Sequence, residues 1–163
     1  MPSNDIQIRN DLRPGDIGAI IHLHGILYGR EYGFDHTFEP YVAAPLAEFV
    51  KNQTDRERIW IVEKLGQVMG SVAIVQFSEN QAQLRWLILH PEVRGRGIGK
   101  KLVEEAVDFC RASGYASVFL WTIDFLGAAL KLYMAAGFEL AETNTHPVWG
   151  RTLTEERYEL KLK

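Results

Sequence analysis

The stretch Leu87-Ile88-Leu89-His90-Pro91-Glu92-Val93-Arg94-Gly95-Arg96-Gly97-Ile98-Gly99-Lys100 is the segment whose residue types and spacing most directly imply chemistry. A β-rich run ends at Leu89 and a helical pattern starts at Ile98, so three alternate glycines fall where a strand gives way to a helix. Glycines at such a junction let the backbone pass close to a ligand, and the free N–H groups of the first helical turn point at whatever lies there. A phosphate is the expected guest. Arg94, Arg96 and Lys100 add positive charge at the same place, which suits a pyrophosphate and reinforces the helix dipole.

Two familiar phosphate motifs do not fit. The nucleoside-triphosphate P-loop needs four residues between its glycine and its Gly-Lys-Ser/Thr; here three separate Gly95 from Gly99, and Lys101 stands where the hydroxyl is required. The dinucleotide fingerprint Gly-x-Gly-x-x-Gly belongs early in a βαβ unit, whereas Gly95, Gly97 and Gly99 are evenly spaced and follow several strands. Elsewhere, Tyr28, Glu31, Tyr32, Phe34 and Asp35 combine aromatic faces with carboxylates, a composition suited to a small cationic amine or a lysine side chain, or to an aromatic cluster packing helix on helix. Arg85 could receive a substrate carboxylate or pair with a neighbouring strand. His22 and His24 are spaced i, i+2, on different sides of a helix, and His36, His90 and His146 have no Cys or His at ligand spacing, so no metal is expected.

The elements that must position these residues follow from periodicity. Ile6 and Ile8 begin a strand, Arg13-Pro14-Gly15-Asp16 supplies a turn and an N-cap, and two helical patterns follow: one through Ile17, Ile20, Ile21, His24, Leu27 and Tyr28, the other through Tyr41, Val42, Leu46, Phe49 and Val50. Ile59 to Val62, Val68 to Phe77 and Leu84 to Leu89 predict an antiparallel meander. A helix through Ile98, Leu102, Val103, Ala106, Val107 and Cys110 stops near Gly114, a buried strand follows at Val118 to Trp121, and a helix carries Leu126, Leu130 and Tyr133. Two short strands, Phe138 to Ala141 and Tyr158 to Leu162, close the chain, with His146, Pro147 and Trp149 in a loop over the substrate opening. The fold class is α/β, in the sense of a mixed α+β layout: a central, mostly antiparallel twisted sheet flanked by helices, in a single domain spanning 1–163.

Composition agrees. A chain of 163 residues with 47% hydrophobic and 24% charged residues can bury one core without disulfides or metals. A net charge of -3 argues against the broad positive field of a nucleic-acid binder. One cysteine, Cys110, leaves a free thiol suited to a reducing compartment. The start, Met1-Pro2-Ser3-Asn4-Asp5, lacks a leader pattern, and no apolar run is long enough to cross a bilayer, so a cytoplasmic protein with no membrane partner is expected.

Arg94-Gly95-Arg96-Gly97-Ile98-Gly99 resembles the Arg/Gln-x-x-Gly-x-Gly/Ala hallmark of the GNAT superfamily of acyl-CoA-dependent N-acyltransferases, which joins the fourth strand to the third helix. Leu132-Tyr133-Met134-Ala135-Ala136-Gly137-Phe138 looks like the family's second signature, and the element order agrees over nearly the whole chain. Residues 13–162 further resemble the acetyltransferase half of proteins that begin with a MarR-type DNA-binding domain, including the run Glu31-Tyr32-Gly33-Phe34-Asp35; the sequence offers no counterpart of the DNA-binding half.

The resemblance implies an acetyl-CoA-dependent N-acetyltransferase moving acetyl directly to a primary amine of a small molecule or protein. The pyrophosphate would occupy the glycine turn, with Arg94, Gly95, Arg96, Gly97, Ile98, Gly99 and Lys100 around it. Leu87 and Leu89 would meet the pantetheine arm through their backbone, and an N–H near Leu87 or Ile88 would polarise the thioester carbonyl. Tyr133 matches the family's general acid for the departing thiolate, although its helical spacing also fits a core aromatic. Glu31, Asp35 and His24 stand as options for the proton acceptor. The two N-terminal helices would select the substrate, through Tyr28, Glu31, Tyr32, Asp35 and, on the fourth strand, Arg85. Related sequences often carry Asn just after the strand ending Trp121-Thr122; here Ile123 and Asp124 stand there, so that side-chain contact is lost while backbone contacts survive. A non-catalytic acyl-CoA sensor is the rival reading, and sheet edges leave a homodimer open.

Overall fold

Ile59, Trp60, Ile61 and Val62 are all shielded from solvent, so the strand that carries them is covered on both faces. Alternation sorts them: Trp60 and Val62 pack into one apolar cluster, Ile59 and Ile61 into another on the opposite face. A sheet clad on both sides is the organising layer of the computed structural model, which describes residues 5–163. Met1 to Asn4, part of the segment searched for a leader, lie outside the described residues.

In chain order the elements are β1 (Ile6–Arg9), α1 (Asp16–Tyr32), α2 (Phe38–Asn52), β2 (Arg58–Lys64), β3 (Gln67–Gln76), β4 (Gln81–Leu89), α3 (Ile98–Ala112), β5 (Ser117–Ile123), α4 (Gly127–Ala135), β6 (Glu139–Val148) and β7 (Arg151–Lys161). The seven strands lie in the order β1-β2-β3-β4-β5-β7-β6. Every neighbouring pair is antiparallel except β4 and β5. Helices α1 and α2 pack on one face, where Ile20, Val42, Leu46 and Phe49 meet Ile59, Ile61 and Trp86. Helix α3 covers the other with Leu102, Val103, Ala106, Val107 and Cys110, an i, i+3/i+4 stripe. Among the described residues no helix is long and apolar enough to cross a membrane, and no three His, Cys, Asp or Glu side chains cluster as a metal site.

One boundary is sharpened by the structure and two differ from the sequence reading. Gly15, in left-handed conformation, is the N-cap of α1; Asp16 is its first helical residue, and its carboxylate takes a two-armed contact from Arg9 at 2.8 Å and the Arg13 N–H at 2.6 Å, tying β1 to α1. Leu126 stands at the N-cap of α4. The last two strands are a long hairpin, so His146 and Pro147 lie within β6 and only Trp149-Gly150 form the turn. Strand β6 is an edge strand exposed along most of its length, with no apolar alternation to advertise its second half, which is why the strand expected over Phe138 to Ala141 runs on unannounced to Val148.

Candidate active site

Strands β4 and β5 pair over Gln81–Gln83 and Ser117–Phe119 and then separate. A wedge opens beside the second half of β4. It is set by a bulge: Trp86 adopts φ 54°, the register with β3 shifts between Ser71 and Ala73, and the Ser71 hydroxyl, fully buried, donates to the Trp86 carbonyl at 2.7 Å. A Cβ on Gly70 would lie 2.5 Å from the Ile88 carbonyl oxygen, so β3 can follow this bend only as glycine. Beyond the bulge the His90 N–H donates to the Met69 carbonyl at 2.7 Å, and Ile88 faces Ser71 two residues back. Antiparallel alternation therefore turns the backbone groups of Ile88 toward β3 and those of Leu87 and Leu89 toward the wedge.

At the end of β4 a single 3-10 turn, Pro91–Val93, leads into the glycine turn. Gly95 (φ 74°) and Gly97 (φ 78°) are left-handed, a conformation that costs other residues about 1–2 kcal/mol. Gly97 is the N-cap of α3 and supplies no side-chain cap, so the N–H groups of the first turn stay open to a ligand. Around both glycines a Cβ would meet nothing within 4 Å, which leaves the concave side free. At Gly99 a Cβ would come 2.9 Å from the Leu132 side chain, so this glycine lets α3 approach α4. An unblocked helix N-terminus behind left-handed glycines is a cradle that fits a pyrophosphate.

Arg94 is held from two directions. Its Nε donates to the Leu89 carbonyl, and its two terminal nitrogens donate to the two carboxylate oxygens of Glu31 on α1, each at 2.9 Å. The guanidinium holds the Glu31 carboxyl below the usual carboxylate range, and burial opposes the shift. Of the charged residues of the turn, Arg94 and Lys100 border the cavity, while Arg96 is exposed and does not.

The cavity, about 600 Å³, runs from this cradle along the wedge to a chamber beneath α1, α2 and the tip of the β6–β7 hairpin. Leu87, Ile88, Leu89, Arg94, Gly95, Gly97, Ile98, Gly99 and Lys100 border it, as do Tyr133, Tyr28, Glu31, Tyr32 and Arg85. Tyr133 is the one buried residue of α4; it packs on Phe138 with ring centroids 5.9 Å apart. Its hydroxyl makes no hydrogen bond among the described residues. Burial, aided by the nearby Tyr28, pushes its pKa above the ordinary tyrosine value and keeps the phenol protonated.

Aromatic rings build the chamber. Tyr28 lies 4.7 Å from Phe38, Tyr32 5.1 Å from Phe125, Phe34 5.2 Å from Trp149, and Trp149 4.8 Å from Tyr41. Trp149 itself sits at φ 52°, unusual for a bulky residue, and its carbonyl accepts the Asp35 N–H at 2.9 Å. Asp35 lies outside the cavity. Its carboxylate accepts the N–H of Thr37, at 3.0 Å, and the Thr37 hydroxyl, a local turn that starts α2, and approaches the Gly150 backbone; it braces the hairpin tip rather than facing a substrate.

His24 is buried against Tyr28, ring centroids 5.9 Å apart, and borders the cavity. Because a carbonyl only accepts, its Nδ1 carries the proton and donates to Ile20 at 2.8 Å. Burial lowers its pKa to about 4, so the ring is neutral and a weak base. Sequence reasoning missed Glu155. The β5–β7 register sets it opposite Ile123, on the cavity side, where His146 Nε2 meets its Oε2 at 2.5 Å. No local motif announces a residue placed by strand register. Arg85 and Trp86, consecutive at the bulge, both turn toward α2, the guanidinium lying 4.9 Å from the Trp86 ring centroid.

A sequence model described as the acetyltransferase (GNAT) family matches residues 26–138. An uncharacterized N-acetyltransferase of Schizosaccharomyces pombe is 32% identical over 122 residues, 73% of this chain and 74% of that one. N-acetyltransferase family 8 member 2 of Rattus norvegicus is 35% identical over 102 residues, 59% of this chain and 45% of that one, so the chain spans less than half of this relative's length. Among solved structures, an acetyltransferase from Salmonella typhimurium, determined with its cofactor acetyl-CoA, superimposes with a TM-score of 0.78 at 19% identity, covering 98% of this chain and 95% of that one.

Proposed function

The chain belongs to the acetyltransferase (GNAT) family, and from that premise we propose that it moves an acetyl group from acetyl-CoA directly to a primary amine. One observation carries the reading: a single cavity joins the open cradle of Gly95 and Gly97, the wedge-facing backbone of Leu87 and Leu89, and the protonated phenol of Tyr133. The cradle holds the pyrophosphate, and bound acetyl-CoA supplies the thioester. In the wedge the Leu87 N–H is a fixed donor for its carbonyl, in preference to the Ile88 N–H, which faces β3. The amine nitrogen bonds the acetyl carbon as the carbon–sulfur bond breaks, Tyr133 gives its proton to the departing thiolate, and the proton shed by the acetylated nitrogen passes through solvent to restore the phenol. Glu31 borders the acceptor chamber but works through Arg94, whose guanidinium it orients.

The acceptor in this proposal is an amine of a small molecule or a protein, admitted to the chamber walled by Tyr28 and Tyr32. The setting proposed is the cytoplasm, which a lone free cysteine suits. The likeness of residues 13–162 to the acetyltransferase half of MarR-linked proteins belongs with these proposals, as does a homodimer formed through an exposed sheet edge such as β6.

The test is thiol release from acetyl-CoA against a panel of amines, wild type beside Tyr133→Phe. Turnover with one amine class that collapses in the variant supports the reading. Binding of CoA compounds with no thiol release for any amine would replace it with a non-catalytic acyl-CoA sensor.

A further inference from the structure

We propose that the acceptor is a small primary amine that also carries a carboxylate, the carboxylate seated at Arg85 and the ammonium at Glu155. The inference rests on the acetyl-transfer reading and names its substrate class.

Five charged side chains border the cavity: Glu31, Arg85, Arg94, Lys100 and Glu155. Glu31 and Arg94 satisfy each other, and Lys100 stands on the first turn of α3 near Glu104, at the cradle end. Arg85 and Glu155 are left for the acceptor chamber. Arg85 is half-buried, yet among the described residues no carboxylate lies within the 4.0 Å of an ion pair. Its guanidinium lies against the face of Trp86, and desolvation disfavours its charge. A guanidinium removed from bulk water without an anion is costly, and a bidentate carboxylate is the partner its planar fork fits.

Glu155 gives the complementary half. It borders the same cavity as Arg85 and Tyr41, no ion pair joins it to Arg85 among the described residues, and the two charges act on the Tyr41 phenol in opposite senses, Arg85 lowering and Glu155 raising its pKa. His146 Nε2 holds the Glu155 carboxylate at 2.5 Å. Opposite charges held apart in a chamber walled by Phe38, Tyr41 and Trp149 match a ligand bearing both signs. A purely cationic diamine would meet Arg85 as repulsion. A protein lysine would cover Arg85 and leave it without an anion.

The test is calorimetry on CoA-saturated protein with the proteinogenic L-amino acids and their carboxamides, each retaining the amine. At least one amino acid is expected to bind wild type about 10- to 100-fold more tightly than its amide, the range of a hydrogen-bonded charge. R85Q should bring that ratio close to one, R85K should leave an intermediate ratio, and E155Q should weaken acid and amide alike. Retained CoA affinity shows that each variant is folded. Equal affinity of acid and amide for wild type, binding of no amino acid at all, or a ratio untouched by R85Q overturns the proposal. Thiol release from acetyl-CoA separates the two levels: release with carboxamides as readily as with acids removes the carboxylate seat and leaves acetyl transfer standing. Acid-selective binding without release for any amine does the reverse.

Discussion

Glu31 on α1 and Arg94 in the glycine turn form a two-armed carboxylate–guanidinium contact, 2.9 Å on each arm, while the third nitrogen of the same arginine holds the Leu89 carbonyl. The helix that walls the aromatic chamber thereby fixes a cation beside the glycine turn. Both side chains are partly exposed, so the pair adds little to global stability, and its effect falls on the position of Arg94. Glu31→Gln should raise the KM for acetyl-CoA about fivefold, the equivalent of about 1 kcal/mol, with little change in melting temperature. Steady-state kinetics with acetyl-CoA as the varied substrate reads this out; an unaltered KM refutes the positioning role.

Tyr133→Phe removes one oxygen from a ring that is otherwise packed on Phe138, so the fold should survive. Loss of a general acid should lower kcat about 10²-fold or more. Because burial keeps the Tyr133 phenol protonated, wild-type kcat should show no alkaline fall at the ordinary tyrosine pKa. A pH–rate profile of both proteins checks both statements.

Ser71→Ala leaves the buried Trp86 carbonyl without its donor. An unsatisfied buried acceptor costs about 1–3 kcal/mol. The bulge also aims Leu87 and Leu89 into the wedge, so acetyl-CoA affinity should drop along with denaturant stability. Loss of stability with unchanged affinity would show that the bulge holds its shape without Ser71.

His24 makes stability depend on pH. An unfolded histidine titrates near 6.5, and the buried one near 4. Between those values the unfolded chain binds more protons, so the contribution is fully present above about pH 6.5 and is lost as pH falls toward 4, by at most about 3 kcal/mol. His24→Gln should lose less stability than wild type between pH 7 and pH 4.5 in urea titrations. Parallel losses would remove His24 from the account.

How much of this was legible in the sequence depends on how local each signal is. The glycine turn could be read because left-handed backbone, an uncapped helix start and flanking arginines all lie within one short segment. Glu155 could not, because only the pairing of β7 with β5 brings it to the cavity, and register is a property of two distant strands. Strand β6 was legible only at its start, in the expected strand Phe138 to Ala141, for the opposite reason: an exposed edge has no buried face, so nothing in Glu142-Thr143-Asn144-Thr145 marks its continuation. Asp35 has the right chemistry for an amine, but the Thr37 N–H and hydroxyl claim its carboxylate first. Arg85 was ambiguous until the bulge set it beside Trp86, facing α2.

The parting of β4 from β5 has a consequence for the ligand as a structural element. Inside an otherwise continuous sheet it leaves a slot whose amide rim, at Leu87 and Leu89, is a strand edge bordering the cavity and unpaired with β5. An extended guest with alternating amides would complete the ladder there and supply the missing stretch of β-structure. A protein finished in this way should melt later as its guest becomes more abundant, by about 2.7 kcal/mol of added stability at a hundredfold excess over Kd. Occupancy and folding then become one equilibrium, and a thermal shift with acetyl-CoA reads both.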